Sequence, residues 1–515
     1  MISFSDRSSE GVPLSDSSVP SWSPQRLASH YAPHVLIFGL TLIAVLLVSR
    51  FGMEVAIIPV AAMAVVAMFV RPEIATLLVI FAIYSNTPAL ATKFHGVPFI
   101  AAAAVPLLLL IPIGFRVVLR REPIFVSRIL WLIFAFSLIQ VVGALNSVRP
   151  ELSLRPALLA VLEGFVLYVL ISNAVRSPEQ LRQVVWVLIA VGATLGALGL
   201  YQRVTGTYGN DYGGYAQIDK NAQEQLVLDP TFQPRQAGNI GVENRYAHMM
   251  LLLVPLGLLL LQYEKDHWLR LALAVGTTLI AVGIALTYSR GALIAFSCTV
   301  VAMLMMRLVR WKHVLGAAVV VALILSAFPA YRERLVRLTG LVGVFSDDVR
   351  TTAVASDSAI TGRLNEATTA ALVFADHPIV GVGPSMFPYH YEQYSANAGF
   401  GQHEGQRMAH NLYLGLAAEH GILGLGVMLA IFAVTLHELF RAHRKWLGSD
   451  PLRSNLAAGF FLVVLTYMAV GMFTDFSYVR YFWLMMALAA VAGRESQIVE
   501  DPVTHAEGQA MGSSP

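Results

Sequence analysis

The sequence predicts an all-α fold: a polytopic membrane bundle of about 12–14 transmembrane helices with a large, partly helical outer loop. Three observations predict it. Of 515 residues, 56% are hydrophobic and only 13% charged, whereas a soluble domain carries roughly twice that share of charge. So little charge cannot coat a water-soluble globule, and the mean hydropathy is +0.64. The apolar runs are long and continuous, the pattern of spanning helices and not of alternating barrel strands. Lysine and arginine gather in alternate short loops, as they do on the inner side of a membrane. The same composition excludes a disordered chain, a disulfide-built secreted domain and a nucleic-acid binder. The lone cysteine, Cys298, permits neither an intramolecular disulfide nor a cysteine metal cluster.

The elements follow in order. Residues 1–33, rich in Ser and Pro, read as a disordered cytoplasmic tail without a signal-peptide pattern. A bilayer core of about 30 Å takes roughly 20 apolar residues as helix. Residues 34–200 hold seven such candidates, at 34–49, 52–70, 73–90, 97–118, 124–145, 153–174 and 180–200. An outer loop, 201–244, precedes four more in 245–330, at 245–262, 267–287, 291–308 and 313–330. A large outer loop with helices, 331–410, leads to the last three in 411–493, at 411–438, 454–474 and 477–493, and a cytoplasmic tail, 494–515. Glu54 and Glu163 fall within predicted spans and have no assigned role. With the N-terminus inside, the short inner loops carry fifteen Lys and Arg and the short outer loops six. That bias places both long loops on the outer face, where ATP and nucleotide sugars are absent and exported material is handled.

Several outer segments have the residue types for chemistry. His410 stands at the start of the helix after the second loop. The positive end of a helix favours a neutral imidazole, which can take a proton as a general base; alternatively His410 and Asn411 cap that helix or sit at the interface. Residues 361–375 have helical apolar spacing, ended by Asp376-His377-Pro378. Arg363 is expected in the first turn, where free N–H groups and a guanidinium suit a diphosphate, or it is an ordinary surface arginine. Arg290, in the tight Thr287-Tyr288-Ser289-Arg290-Gly291-Ala292 connection, either snorkels to the interface or faces a cavity and binds an anion. Gly381-Val382-Gly383-Pro384-Ser385 reads as a turn, since it lacks the lysine and helix of a phosphate loop. Tyr201, Tyr208, Tyr212, Tyr215 and Phe232, among Asp211, Lys220, Asn221 and Arg235, suit sugars or membrane anchoring equally. The second loop sets six arginines against eight acids, so it is not a polyanion surface. His403-Glu404 and His410 lack zincin spacing, Asp347-Asp348 reads as a solvated pair, and no metal or cofactor is expected.

Taken together, these motifs resemble the bacterial O-antigen ligase and polysaccharide polymerase family. Its signature is His, then Asn, Ser or Gln, nine residues, Gly, two residues, then Gly, Thr or Tyr. It is matched here by His410-Asn411, Gly421 and Gly424. Ser289-Arg290-Gly291 looks like the family's first arginine motif. Gly362-Arg363 with His377-Pro378 and Gly381-Val382-Gly383 looks like its second. The resemblance covers about 240–435; Val242-Glu243-Asn244-Arg245 departs from it, since relatives read closer to Asn-Pro-Asn there.

The resemblance implies a metal-independent, inverting glycosyltransferase in the bacterial inner membrane. Its donor is an undecaprenyl-diphosphate-linked glycan whose tail lies among the spans and membrane lipids. Its acceptor is lipid A–core oligosaccharide for a ligase, or another lipid-linked glycan for a polymerase of O-antigen or exopolysaccharide. Arg290 and Arg363 are expected to bind the diphosphate and His410 to act as base. Asn411, Gly421 and Gly424 are expected to support them. A protein O-oligosaccharyltransferase and a secondary transporter of a small anion are the alternatives.

Overall fold

The computed structural model describes residues 72–219, 232–312, 358–400, 407–475 and 479–494, together with Ala222, Gln225 and Leu228. All lie in one compact unit that begins at Leu47. The spans predicted at 34–49, 52–70 and 313–330 fall outside the described residues, as do Glu54, Lys220, Asn221, Asp347, Asp348, His403 and Glu404.

Within the described residues every other predicted span is a helix. Eight helices are long and apolar enough to cross a membrane: α3 (Phe99–Leu119), α4 (Arg128–Leu145), α5 (Pro150–Ala174), α6 (Pro178–Thr205), α7 (Glu243–Tyr263), α8 (His267–Ala285), α12 (Leu412–Trp446) and α13 (Pro451–Val470). Two shorter apolar helices are α9 (Arg290–Met305) and α14 (Val479–Gly493). The span predicted at 73–90 is broken. Its parts, α1 (Pro72–Tyr84) and α2 (Thr87–His95), meet at a 56° bend. Asn86 sits there with a φ of 63°, and Pro88 cannot extend a helical hydrogen-bond ladder across it. The second loop contributes α10 (Ser358–Asp376) and α11 (Phe387–Asn397). A short antiparallel pair, β1 (Gln217–Ile218) with β2 (Gln236–Gly238), folds the first loop back on itself.

Local chemistry sets the helix starts. Ser127, Ser177, Asp266, Ser289, Asn411 and Asp450 each accept backbone N–H bonds at an N-terminus. Pro150, Pro178 and Pro451 occupy first turns, where a missing N–H costs nothing.

Helix α7 is the most enclosed, with 78% of its apolar window buried against 17% for α3. Helix α13 packs against α7, α9, α12 and α14. Apolar helices in lipid gain little from hiding apolar surface from one another, so close backbone approach decides which faces meet. Gly192 and Gly196 on α6 allow that approach to α8. A Cβ on Gly196 would stand 2.1 Å from the carbonyl oxygen of Leu279. Glu163 acquires a partner here: it lies in a π-turn, Leu162–Val166, with Arg480 Nη2 3.9 Å from its carboxylate.

The helix after the second loop is not continuous. Gly421 breaks α12 with φ 63° and ψ −167°, a conformation open essentially to glycine alone. The break exposes backbone groups, and the 378–383 turn binds them. Ile422 N donates to Pro378 O at 2.8 Å, Val382 N to Ala418 O at 2.9 Å and Gly383 N to Glu419 O at 3.0 Å. A Cβ on Gly421 would lie 2.1 Å from Ile379 O. This clasp ties the segment carrying α10 and α11 to the membrane helix that follows it. Gly424 serves the same joint, because a Cβ there would meet the Cβ of buried His420 at 2.2 Å.

Candidate functional site

The site forms around the turn at 471–475, between α13 and α14. Four distant segments dock on it. From α10, Arg363 Nη1 donates to Phe473 O at 3.0 Å. Ahead of α12, Leu412 N donates to Gly471 O at 2.7 Å and Asn411 Nδ2 to Met472 O at 3.4 Å. At the start of α9, Gly291 lies against Phe473, whose Cβ would be 3.0 Å from a Cβ on that glycine. At the start of α7, Arg245 Nη2 donates to both carboxylate oxygens of Asp475, at 3.0 and 2.8 Å.

The turn therefore brings the predicted residues into one neighbourhood. Arg290 and Arg235 are among the charges acting on the Arg363 guanidinium. Arg363 and Arg245 are in turn among those acting on His410, with Glu366 and Asp475 opposing them. Burial first, then the crowding of Arg290 and Arg235, lowers the pKa of Arg363, and Glu366 partly offsets this. The nearby acids are already engaged: Glu243 pairs with Arg235 Nη1 at 3.1 Å, and Glu366 with Arg407 at 3.3 Å. Crowded guanidiniums are what an anion relieves.

His410 is half-buried, and desolvation lowers its pKa below the ordinary imidazole value. Its neutral form thus prevails at neutral pH. Its φ is 45°, left-handed backbone that a non-glycine residue adopts only when its surroundings impose it. Tyr288, two residues before Arg290, is similarly forced, with a φ of 52°.

Local structure corrects one expectation and bears on another. Arg363 does not lie in the first turn of its helix. Helix α10 begins at Ser358, so the N–H groups around Arg363 are inside the helical ladder, and its side chain is the group left to meet an anion. Asn411 is a helix cap: its side chain accepts from Tyr413 N and Leu414 N at 3.0 Å each. Gly421 and Gly424 act on the α12 break. The first loop's tyrosines are largely tied to protein. Tyr215 bonds Thr87, Tyr212 bonds Thr207 and Tyr208 accepts from Arg203.

The sequence reading missed Glu366, Asp475 and His248, named Arg245 only as part of a departure from the family pattern, and placed Arg235 only among the first loop's sugar-or-anchoring residues. Some signals were present. Glu366 follows Arg363, and His248 follows Arg245, at the three-residue spacing that shares a helix face. Asp475 is a lone acid in a connection too short to be a solvated loop. Arg235 donates from Nε to Thr287 O at 2.9 Å and from Nη2 to Asn244 Oδ1 at 3.0 Å, bracing the turn that presents Arg290. The residues that depart from the family pattern, Asn244 and Arg245, thus hold Arg235 and Asp475.

Fold and site together define a polytopic helical membrane protein in which guanidiniums gather near His410, where the loop helices meet the membrane helices. Residues 275–429 match the profile of a family described as O-antigen ligase. Over that segment the chain is similar to O-antigen ligases. The matched segment includes Arg290, Arg363 and His410. No curated protein matches the chain.

Proposed function

We propose that this protein transfers a glycan from a lipid diphosphate, an undecaprenyl-diphosphate carrier, to a sugar hydroxyl on the outer face of the bacterial inner membrane. The supporting observation is the docking of the Arg290, Arg363 and His410 segments on one turn, although 73 and 47 residues separate them in sequence. The acceptor hydroxyl attacks the anomeric carbon and gives its proton to the neutral His410 imidazole. The bond from that carbon to the phosphate oxygen breaks with inversion. The charge gathering on the departing diphosphate is met by Arg290 and Arg363, so their guanidiniums do what a divalent metal does elsewhere. Positioning and charge stabilisation carry the rate, since no covalent intermediate is needed.

Lipid A–core and a second lipid-linked repeat unit offer the same chemistry as acceptors. A deletion strain separates them on a lipopolysaccharide gel. Core-only material with polymer left on its carrier identifies a ligase. Core bearing a single repeat unit identifies an O-antigen polymerase, and an intact ladder with lost exopolysaccharide identifies a polymerase of that pathway. Complementation with the parent chain should restore the pattern and His410→Ala should not. Restoration by His410→Ala would refute the assigned base.

A further inference from the structure

Beside the guanidinium cluster a cleft opens among α7, α13, the 471–475 turn and α14. Arg245, His248, Asp475 and Tyr481 line it, with Met249 and Leu252 on its apolar side. His248 is only 5% exposed, and neither ring nitrogen has a hydrogen-bond partner among the described residues. Buried polar groups are nearly always satisfied in folded proteins. An imidazole with two unmet nitrogens bordering a cleft therefore points to a partner that enters it. The charged groups acting on His248 are Arg363, Arg245 and Asp475, and all three also act on His410. The cleft thus adjoins the site described above.

We propose that this cleft is a saccharide subsite that receives one edge of a sugar ring beside the reaction centre, with neighbouring hydroxyls reaching His248. The inference rests on the reading that the substrates are glycans and adds where one ring is held. The chemistry selects the ligand. A neutral imidazole offers one donor and one acceptor, Asp475 accepts and Arg245 donates. Sugar hydroxyls both donate and accept, so a neighbouring pair meets every group. A phosphate only accepts: it leaves the imidazole lone pair unmet and faces the Asp475 carboxylate with like charge. Phosphate accordingly belongs at Arg290 and Arg363, and hydroxyls here. Tyr467 and Tyr481 also line the cleft.

The test uses the full chain in lipid nanodiscs and two probes, a panel of methyl hexopyranosides and inorganic pyrophosphate, read by saturation-transfer NMR. The parent should bind at least one glycoside. His248→Phe, which keeps bulk and removes both hydrogen bonds, should weaken that binding about tenfold. His248→Gln, with one donor and one acceptor, should restore most of it, and pyrophosphate binding should be unchanged in both. Should the phenylalanine variant fail to fold, His248→Met against His248→Gln makes the same comparison. The proposal is overturned if the parent binds no glycoside, if removing the imidazole leaves glycoside binding intact, if glutamine restores nothing, or if pyrophosphate binding falls instead. Failure of the transfer reading registers elsewhere, as transfer retained by His410→Ala.

Discussion

Substituting Gly421 by alanine tests whether the helix break holds the site together. The added Cβ meets two separate penalties. It forces a non-glycine residue to φ 63° and ψ −167°, which costs about 1–3 kcal/mol. It also stands 2.1 Å from Ile379 O, closer than any tolerated contact, so the turn must move away. Moving it threatens three backbone bonds, from Ile422, Val382 and Gly383, of 2.8 to 3.0 Å, each contributing about 1 kcal/mol. The expected loss is therefore about 4–6 kcal/mol if the turn detaches, and about 1–3 kcal/mol if it only shifts. Gly426→Ala is the matched control, because it lies on the same helix and its Cβ meets nothing within 4 Å. Thermal unfolding of the detergent-solubilised chain should place Gly421→Ala many degrees below the parent and Gly426→Ala at or above it. Transfer should fall with Gly421→Ala even below its melting temperature, because the clasp sets where α10 carries Arg363. Equal melting of the two variants, with transfer intact in both, would refute the reasoning.

The electrostatics around His410 give a signed pH prediction. Because burial lowers its pKa, the acid limb of kcat/KM should lie below the ordinary histidine range, with activity lost as the imidazole protonates. Glu366 favours the protonated form, so Glu366→Gln should move that limb to still lower pH; a move upward counts against His410 as the base. Arg290→Lys and Arg363→Lys should each slow transfer on the order of 10²-fold, because an ammonium cannot make the two-pronged contact of a guanidinium. Full complementation by both lysine variants would remove the diphosphate role. Inserting one residue after Met472 should abolish transfer while Met472→Ala preserves it, measured by complementation of the deletion strain on a lipopolysaccharide gel.

How far the sequence carried depends on the range of the forces involved. Spans such as Pro178–Thr205 were legible because apolar length is a local property. The break after Tyr84 was not, since Asn86 is held there by a bond from its Nδ2 to Asn239 O, 153 residues away. Arg290, Arg363 and His410 were found as motif residues. Their shared docking on Phe473, Met472 and Gly471 was invisible, because carbonyl oxygens carry no side-chain identity. The placement of Arg363 failed because α10 starts earlier than its apolar spacing suggests, at Ser358. Asp475 escaped notice because a single polar residue in an apolar stretch gives no periodic signal, and the shared helix face of Arg245 and His248 does not reveal what it borders.

The 471–475 turn grips Arg363, Asn411 and Leu412 through main-chain oxygens alone. Oxygens of that kind are common to all amino acids, so mutation can freely rewrite the letters at Met472 while the number of letters stays fixed. Evolution acting on such a hinge would leave little trace in residue identity and a strict record in spacing.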